Sequence, residues 1–170
     1  MGDSDGISAS AASSGDDSSP PGSSAADQRP RVDFYVMEGT AAARLRVACR
    51  LAEKAYLASQ RTLIWHTDRA ELEALDELLW IFADGSFVPH EWLTSNQAQA
   101  PVLLSAGSPP EAAFDFVINL AADPPPFLPL ARRIAEIIDG DEERRRAGRA
   151  RFKAYRELGI QPATHTLRTE

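Results

Sequence analysis

From residue 32 onward, short runs of β-branched and aromatic residues alternate with longer stretches in which apolar residues recur at helical spacing. The short runs predict strands at residues 32–36, 62–65, 102–104 and 114–118. The longer stretches predict helices. Because strands joined through helices favour parallel pairing, this order predicts an α/β domain with a mainly parallel sheet.

Residues suited to helix capping precede the three long helical stretches. Thr40 comes before the first of them. Asp68 precedes the second and has Glu71 three positions later, which is the spacing of a capping box. Asp141 precedes the third, and Gly159 follows it at the position of a C′ glycine. These signals predict where each helix begins and where the last one ends.

The composition changes near residue 30. Ser, Ala, Asp, Gly and Pro fill 26 of the first 30 positions, and Ile7 is the one large aliphatic residue among them. Such a segment buries too little apolar surface to offset the entropy of ordering. We therefore expect residues 1–30 to be a disordered tail without an essential role, with an acidic decoy or a tether as the alternative. The α/β domain is expected at residues 31–160, with residues 161–170 as a C-terminal extension.

The chain carries a formal net charge of −7, from 18 Lys and Arg against 25 Asp and Glu. This balance argues against general coating of nucleic acid, which requires local positive charge. The sequence has no apolar run near the about 20 residues of a membrane helix. Its first residues, with Asp3 and Asp5, lack the basic start of a signal peptide. We expect no membrane partner and a cytoplasmic location.

The motifs of common catalytic sites are missing from the sequence. No glycine-rich phosphate loop follows the first predicted strand, and no G-x-S-x-G nucleophile elbow occurs. His66, His90 and His165 lack the close spacing of metal ligands. Cys49 lies beside Ala48 in a helical pattern, which predicts a buried and unreactive thiol. We expect no catalytic site, no metal and no cofactor.

Positive charge is concentrated on the last predicted helix, residues 141–159, which carries seven bases and four acids. On a helical wheel, Ala147, Ala154 and Leu158 share the side that is expected to face the core. Phe152 falls nearly opposite them. The arginines within about 60° of this ring are Arg145, Arg149 and Arg156. A ring among guanidinium groups suits the binding of an anionic chain, because guanidinium pairs with carboxylate or phosphate through two hydrogen bonds. A solvated basic face with one exposed phenylalanine is the alternative.

Residues 80–92 form a second unusual segment, with four large aromatic residues and no helical period. The four are Trp80, Phe82, Phe87 and Trp92. Side chains that fill the edge of the core would account for them. An apolar patch for a protein partner is the other interpretation, since exposed aromatic clusters mark interfaces.

Several segments together resemble the chi subunit of bacterial DNA polymerase III holoenzyme. They include LDELLW at residues 75–80, SFVPH at residues 86–90 and RARFKAYRELG at residues 149–159. Phe34-Tyr35 and the predicted strand at residues 61–65 also fit. The similarity runs in order from about residue 32 to residue 160 and leaves out the first 30 residues.

The resemblance implies a Rossmann-like three-layer fold, no catalytic centre and an adaptor role in the clamp loader. In the family, the last helix binds the acidic C-terminal tail of single-stranded-DNA-binding protein. The residues of that site correspond to Arg145, Arg149 and Phe152, and Arg156 would add a supporting charge. The family usually has lysine at the position of Arg145 and tyrosine at the position of Phe152. The positive charge and the aromatic ring are therefore kept in this sequence, while the tyrosine hydroxyl is lost.

The resemblance also implies that a psi subunit of the clamp loader binds near Trp80, Phe87 and Val88. The apolar residues 134–138 would form a strand, and the protein would work at the replisome and reach DNA only indirectly. A direct single-stranded nucleic-acid-binding module that uses the basic C-terminal helix is the alternative function. A nucleotide-using enzyme is a further rival, which the missing phosphate loop disfavours.

Overall fold

The computed structural model describes residues 29–94 and 98–168, so most of the predicted N-terminal tail lies outside the described residues. Within them, seven strands, three α-helices and a short 3₁₀ helix follow one another. In chain order these are β1 (Arg31–Met37), α1 (Ala41–Leu57), β2 (Thr62–His66), α2 (Arg69–Ile81), β3 (His90–Trp92), β4 (Val102–Ala106), β5 (Phe116–Asn119), the 3₁₀ helix η1 (Leu128–Leu130), β6 (Arg133–Ile138), α3 (Glu142–Glu157) and β7 (Ala163–Leu167).

The strands form one sheet in the order β3-β4-β2-β5-β6-β1-β7, and every neighbouring pair is parallel. The predicted α/β class with a parallel sheet and a Rossmann-like three-layer arrangement is therefore confirmed. The apolar stretch at residues 134–138 belongs to strand β6, as the family resemblance implies.

Helices cover both faces of the sheet. Alternate residues of β1 show this: Val32 and Phe34 pack in one apolar cluster with Tyr155 of α3, whereas Met37 packs in the other. That other cluster contains the buried residues of α1 and α2, including Cys49 and Leu75. Because successive side chains of a strand point to opposite faces, α1 and α2 lie on one face and α3 on the other. Among the residues described, no helix has an apolar stretch that could traverse a lipid bilayer.

The three predicted N-caps are confirmed. The side chain of Thr40 accepts a hydrogen bond from Ala43 N at 3.2 Å, and Asp68 and Asp141 cap α2 and α3 in the same way. Gly159 has a φ of 86° directly after α3, which is the conformation that glycine tolerates at a C′ position. The second half of the predicted capping box is not made, because the carboxylate of Glu71 binds Arg44 and His66.

Two strands of the sheet were not predicted. Strand β3 has only three residues, and β7 lies within the segment at residues 161–170 that was expected to be a C-terminal extension. Strand β7 pairs with β1 along five residues, so the sheet continues past residue 160.

Candidate functional site

Helix α3 is held against the sheet by a buried polar network. Glu136 of β6 is fully buried and accepts hydrogen bonds from Arg151 Nε at 2.8 Å and from Tyr155 Oη at 2.6 Å. Asn119 of β5 donates to the same carboxyl group at 2.9 Å. Burial raises the pKa of Glu136, although these partners oppose the rise. Because Arg151 and Tyr155 are four positions apart, the network fixes which side of α3 faces the sheet.

This orientation corrects the helical-wheel prediction for α3. The prediction that Ala147, Ala154 and Leu158 face the core is wrong, because Leu158 is 50% exposed and both alanines are only half-buried. The buried positions of the helix are Gly148, Arg151 and Tyr155. The wheel counts apolar residues alone, whereas here a buried carboxylate draws an arginine and a tyrosine inward. Phe152 therefore lies at the margin of the buried side, where its ring is half-buried.

An apolar hollow of about 380 Å³ opens beside this ring, and we call it the Phe152 hollow. Its apolar lining comes from Phe34, Val36, Ile138 and Phe152. The rings of Phe34 and Phe152 have centroids 5.3 Å apart and are tilted by 54°. Gly148 gives the hollow its depth, since a Cβ at this position would lie 2.5 Å from Ile138 Cδ1. The hollow has room for one large apolar side chain.

Two of the predicted arginines stand at the rim of the Phe152 hollow. Arg145 Nε donates to the backbone oxygen of Asp139 at 3.0 Å, and its Nη2 lies 3.5 Å from Glu38 Oε1. Arg149 is exposed and makes no hydrogen bond or ion pair with the residues that the structure describes. Arg149 can therefore bind an incoming anion without first breaking an ion pair.

A second hollow of about 360 Å³ adjoins the first, and we call it the Arg156 hollow. It shares Arg149 and Phe152 with the Phe152 hollow. Lys153 and Arg156 add two more cations here, and Glu157 adds one acid. The structure thus brings together all four predicted residues of the tail site, with Phe152 and Arg149 in the middle.

Asp139 anchors the start of the basic face. It is fully buried and binds Arg144 through both carboxylate oxygens, at 2.9 Å and 2.7 Å. Burial by itself would raise the pKa of Asp139, but the hydrogen bonds and charge of Arg144 outweigh it and hold the pKa below its ordinary value. Arg144 is therefore committed to structure, although it belongs to the same helix as the exposed arginines.

Sequence reasoning missed several residues of these two hollows. They are Phe34, Val36, Ile138, Gly148 and Lys153. The first four are contributed by strands or by a residue without a side chain, and nothing in their local pattern separates them from ordinary core. Lys153 could have been found, because it follows Phe152 directly and lies within the basic helix.

On the opposite face, aromatic residues at the end of α2 and in the segment that follows it form an exposed patch. Trp80 is 55% exposed and Phe87 is 61% exposed, and their ring centroids lie 5.9 Å apart. The ring of His90 packs 4.6 Å from Trp80 and is held by Asp76. Val88 differs, since it is 1% exposed and belongs to the core. The prediction that Val88 contacts a partner is therefore corrected, because a buried side chain offers no surface.

Each of the three histidines pairs with a different carboxylate. His66 contacts Glu71, His90 contacts Asp76, and His165 contacts Asp33. No group of three His, Cys, Asp or Glu residues in the described ranges is placed to hold a metal ion. Cys49 is buried, as predicted, and burial raises the pKa of its thiol to about 12, which disfavours the reactive thiolate.

Comparison with known proteins identifies the family. The family model described as "DNA polymerase III chi subunit, HolC" matches residues 30–163. The chain belongs to this family. The chi subunit of Pseudomonas aeruginosa DNA polymerase III is 41% identical over 138 residues, which cover 81% of this chain and 96% of that protein.

More distant chi subunits also match. That of Escherichia coli is 26% identical over 130 residues, covering 71% of this chain and 84% of that protein. That of Haemophilus influenzae is 26% identical over 138 residues, covering 79% and 95%. The chi-family assignment makes this chain a subunit of a replication polymerase.

A solved structure shows the generality of the fold. The C-terminal domain of the DEAD-box protein Dbp5 superposes with a TM-score of 0.56 at 11% identity, covering 83% of this chi-family chain and 92% of that domain. At this level of identity the likeness concerns the α/β fold alone.

Proposed function

We propose that this chi-family protein is a non-catalytic adaptor of the clamp loader. In this proposal, α3 binds the acidic C-terminal tail of single-stranded-DNA-binding protein, and the exposed aromatic patch binds a psi subunit. The protein acts in the cytoplasm at the replisome and reaches DNA through the protein whose tail it holds.

The observation that carries the proposal is the Phe152 hollow with its two guanidinium groups. A chain end offers a carboxylate and a last side chain within a few ångströms of each other. The hollow offers an apolar floor of Phe34, Ile138 and Phe152 directly below Arg145 and Arg149. Capture of a C-terminal carboxylate beside an apolar pocket is an established mode of peptide recognition. The Arg156 hollow then supplies Lys153 and Arg156 for acidic residues further along the tail.

The proposed mode of binding does not need the hydroxyl of the tyrosine that is usual in the family at position 152. The half-buried ring of Phe152 is fixed by its contact with Phe34. Charge pairing is left to Arg145 and Arg149, and the ring contributes an apolar wall. We expect the ring to determine how well the last side chain packs and the arginines to determine the dependence on salt.

The proposed psi contact rests on the exposed aromatic patch. Trp80 and Phe87 are large apolar side chains that leave more than half of their surface to solvent. Ile81 beside them is also exposed. Aromatic side chains of this kind dominate the energy of protein interfaces. The patch belongs to the α2 side of the sheet, so a psi subunit would not compete with a tail bound at α3.

The decisive experiment is calorimetry with a synthetic peptide of the acidic tail. Arg149→Ala should weaken binding by about tenfold or more, because one charge-assisted hydrogen bond contributes about 1.5–3 kcal/mol. Arg146→Ala is the matched control, since Arg146 is an exposed arginine of the same helix that lines neither hollow. Equal affinities of the two variants would remove Arg149 from the site.

Binding should weaken as salt is added, because screening reduces exposed charge pairing.

A gel-shift measurement separates this function from direct binding of single strands by α3. The adaptor should shift a single strand only when single-stranded-DNA-binding protein coats it. A shift of the naked strand that Arg149→Ala abolishes would instead support the nucleic-acid module.

A further inference from the structure

A wide groove lies on the face of the sheet opposite α3, and the proposed function makes no use of it. It has a volume of about 870 Å³ and runs between α1 and the strands β1 and β7, of which β7 is the edge strand. Strand β7 stands at the end of the sheet, and its residues are largely exposed. The groove is open because α1 passes from β1 towards β2 and leaves the α1 side of β7 uncovered.

One wall of this groove is a row of positive charges on α1. Arg46, Arg50 and Lys54 line it at intervals of four residues, which places successive cations about 6 Å apart along the helix axis. All three are exposed, and none forms a hydrogen bond or ion pair within the described part of the chain. Like charges at this spacing destabilise a helix. An anionic ligand would relieve that repulsion.

The floor of the groove is apolar. Met37, Val47, Leu51 and Leu167 contribute aliphatic side chains to it, and none of the lining residues is acidic. Arg133 reaches the far wall but is already bound to Asp33 at 3.0 Å. The groove therefore combines an aliphatic floor with a cationic wall whose charges have no partners among the described residues.

We propose that this α1 groove binds an acidic segment of a partner protein that carries apolar side chains along one face. The carboxylates of such a segment match the row on α1, and its apolar side chains match the floor. This site is independent of the proposed tail binding at α3, since it shares no residue with either hollow.

Single-stranded nucleic acid fits the groove less well. Non-specific binding of single strands combines phosphate contacts with rings on which bases stack. Tyr35 is not free for this role, because it stacks on His165 at 5.0 Å and its hydroxyl accepts a hydrogen bond from Arg133. Phe116 is buried below the guanidinium of Arg133. An aliphatic floor favours a peptide.

The protein's own first residues also fit less well. Residues 1–28 contain five aspartates and no base, but Ile7 is their one large aliphatic residue, so they cannot fill the floor. The described chain begins at Arg29, which donates to the carbonyl oxygen of Gly159 at 3.4 Å. That contact places Arg29, the first described residue, beside the end of α3.

A binding assay tests the match of charge and apolar surface. The probe is a fluorescein-labelled peptide of about 14 residues with leucines at helical spacing and glutamates elsewhere. Its control has the same composition with the leucines scattered. A single-stranded oligo-dT of about 15 nucleotides is the competing probe. Anisotropy should show that the ordered peptide binds about tenfold more tightly than the scattered one.

Paired charge reversals locate the binding in the groove. Arg46→Glu with Arg50→Glu should weaken binding of the ordered peptide by about tenfold or more, and Arg46→Gln with Arg50→Gln should have a smaller effect. Arg132→Glu with Arg146→Glu changes the charge equally at exposed positions outside the groove and should leave affinity unchanged. Tail-peptide binding should keep its affinity in the groove reversal and weaken by about tenfold or more in Arg149→Ala. The proposal would be overturned if Arg46→Glu with Arg50→Glu left the affinity for the ordered peptide unchanged. It would also be overturned if oligo-dT bound more tightly than the ordered peptide.

Photo-crosslinking in the full complex then identifies the occupant. The photoreactive residue p-benzoylphenylalanine replaces Arg50 in the complete protein, and the same residue at Arg132 is the control. After irradiation of cells that assemble the polymerase, mass spectrometry of the crosslinked peptide should find a net negative segment of another protein with apolar residues on one face. A crosslink to nucleic acid, to residues 1–28 or to a second copy of this chain, or no crosslink specific to position 50, would contradict it.

Discussion

At the scale of single residues, Asp139 connects the stability of the domain to the geometry of the proposed tail site. Its carboxylate binds Arg144 and its backbone oxygen binds Arg145, so one residue at the end of β6 positions two arginines of α3. Arg144 loses its freedom to bind a ligand, while Arg145 keeps part of its guanidinium at the rim of the Phe152 hollow.

The lowered pKa of Asp139 predicts a specific effect of pH. A carboxyl group whose pKa is lower in the folded state stabilises the fold above the unfolded pKa of about 3.9, and that stability is lost as the pH falls through the folded pKa. Asp139→Asn should lower the free energy of unfolding by about 1–3 kcal/mol at pH 7. The difference from the unmodified protein should shrink below about pH 4.

Urea unfolding measured between neutral pH and about pH 2 checks this expectation. Asp84→Asn is the control, because Asp84 is exposed in the loop after α2. A constant difference between Asp139→Asn and the unmodified protein across the whole pH range would contradict the role assigned to the Arg144 pair.

At the scale of elements, Gly148 shows how a helix and a strand build the hollow together. Because alanine favours the helical conformation over glycine by about 1 kcal/mol, Gly148→Ala should stabilise the backbone of α3. The new Cβ would meet Ile138 Cδ1, the flexible end of a side chain, and push it into the Phe152 hollow. We therefore expect near-wild-type stability with several-fold weaker binding of the tail peptide.

Thermal unfolding and calorimetry on the same sample distinguish this outcome from simple damage to the fold. Ala147→Gly is the control, since it alters propensity at the neighbouring position without lining the hollow. If Gly148→Ala binds the tail peptide as tightly as the unmodified protein, the hollow does not receive the last side chain.

The elements also show which features a sequence can reveal. Caps and buried strands were predictable, because Thr40, Asp68 and Asp141 act locally and β2 is buried along its whole length. Strand β7 was not predictable, since an exposed strand at the sheet edge needs no apolar pattern. The burial of Arg151 depends on Glu136, a partner on another element, and no helical wheel contains that information. Arg145, Arg149 and Phe152 could be singled out from the sequence, whereas the other apolar residues of the Phe152 hollow come from strands.

At the scale of the whole molecule, β7 supports both faces of the sheet. Thr164 lines the Phe152 hollow on one face, and Leu167 lines the α1 groove on the other. The ring of His165 stacks on Tyr35, and its Nε2 lies 2.9 Å from Asp33 Oδ1. The last strand is thus part of the domain and part of both candidate sites.

Truncation after residue 160 should therefore destabilise the protein by about 2–4 kcal/mol, because it removes the ladder to β1 and the contacts of His165. It should also promote association, since the edge of β1 becomes exposed. His165→Ala in the full chain is the control and should cost about 1 kcal/mol. Urea unfolding and light scattering measure both effects. Equal stability of the truncated chain and His165→Ala would show that the ladder contributes nothing.

An adaptor must hold two partners at once, and the layered fold makes that a quantitative prediction. Arg149 and Phe152 lie on the α3 face, whereas Trp80 and Phe87 lie on the α2 side. The two surfaces share no side chain, and distant sites without shared partners behave additively. The affinity for the tail peptide should therefore change by less than about twofold when a psi subunit is bound. Trp80→Ala with Phe87→Ala should abolish the psi complex and leave tail binding intact, whereas Arg149→Ala should weaken tail binding by about tenfold or more and leave the psi complex intact. Calorimetry of each partner with and without the other measures the coupling, and exclusion of one partner by the other would mean that the protein cannot bridge them.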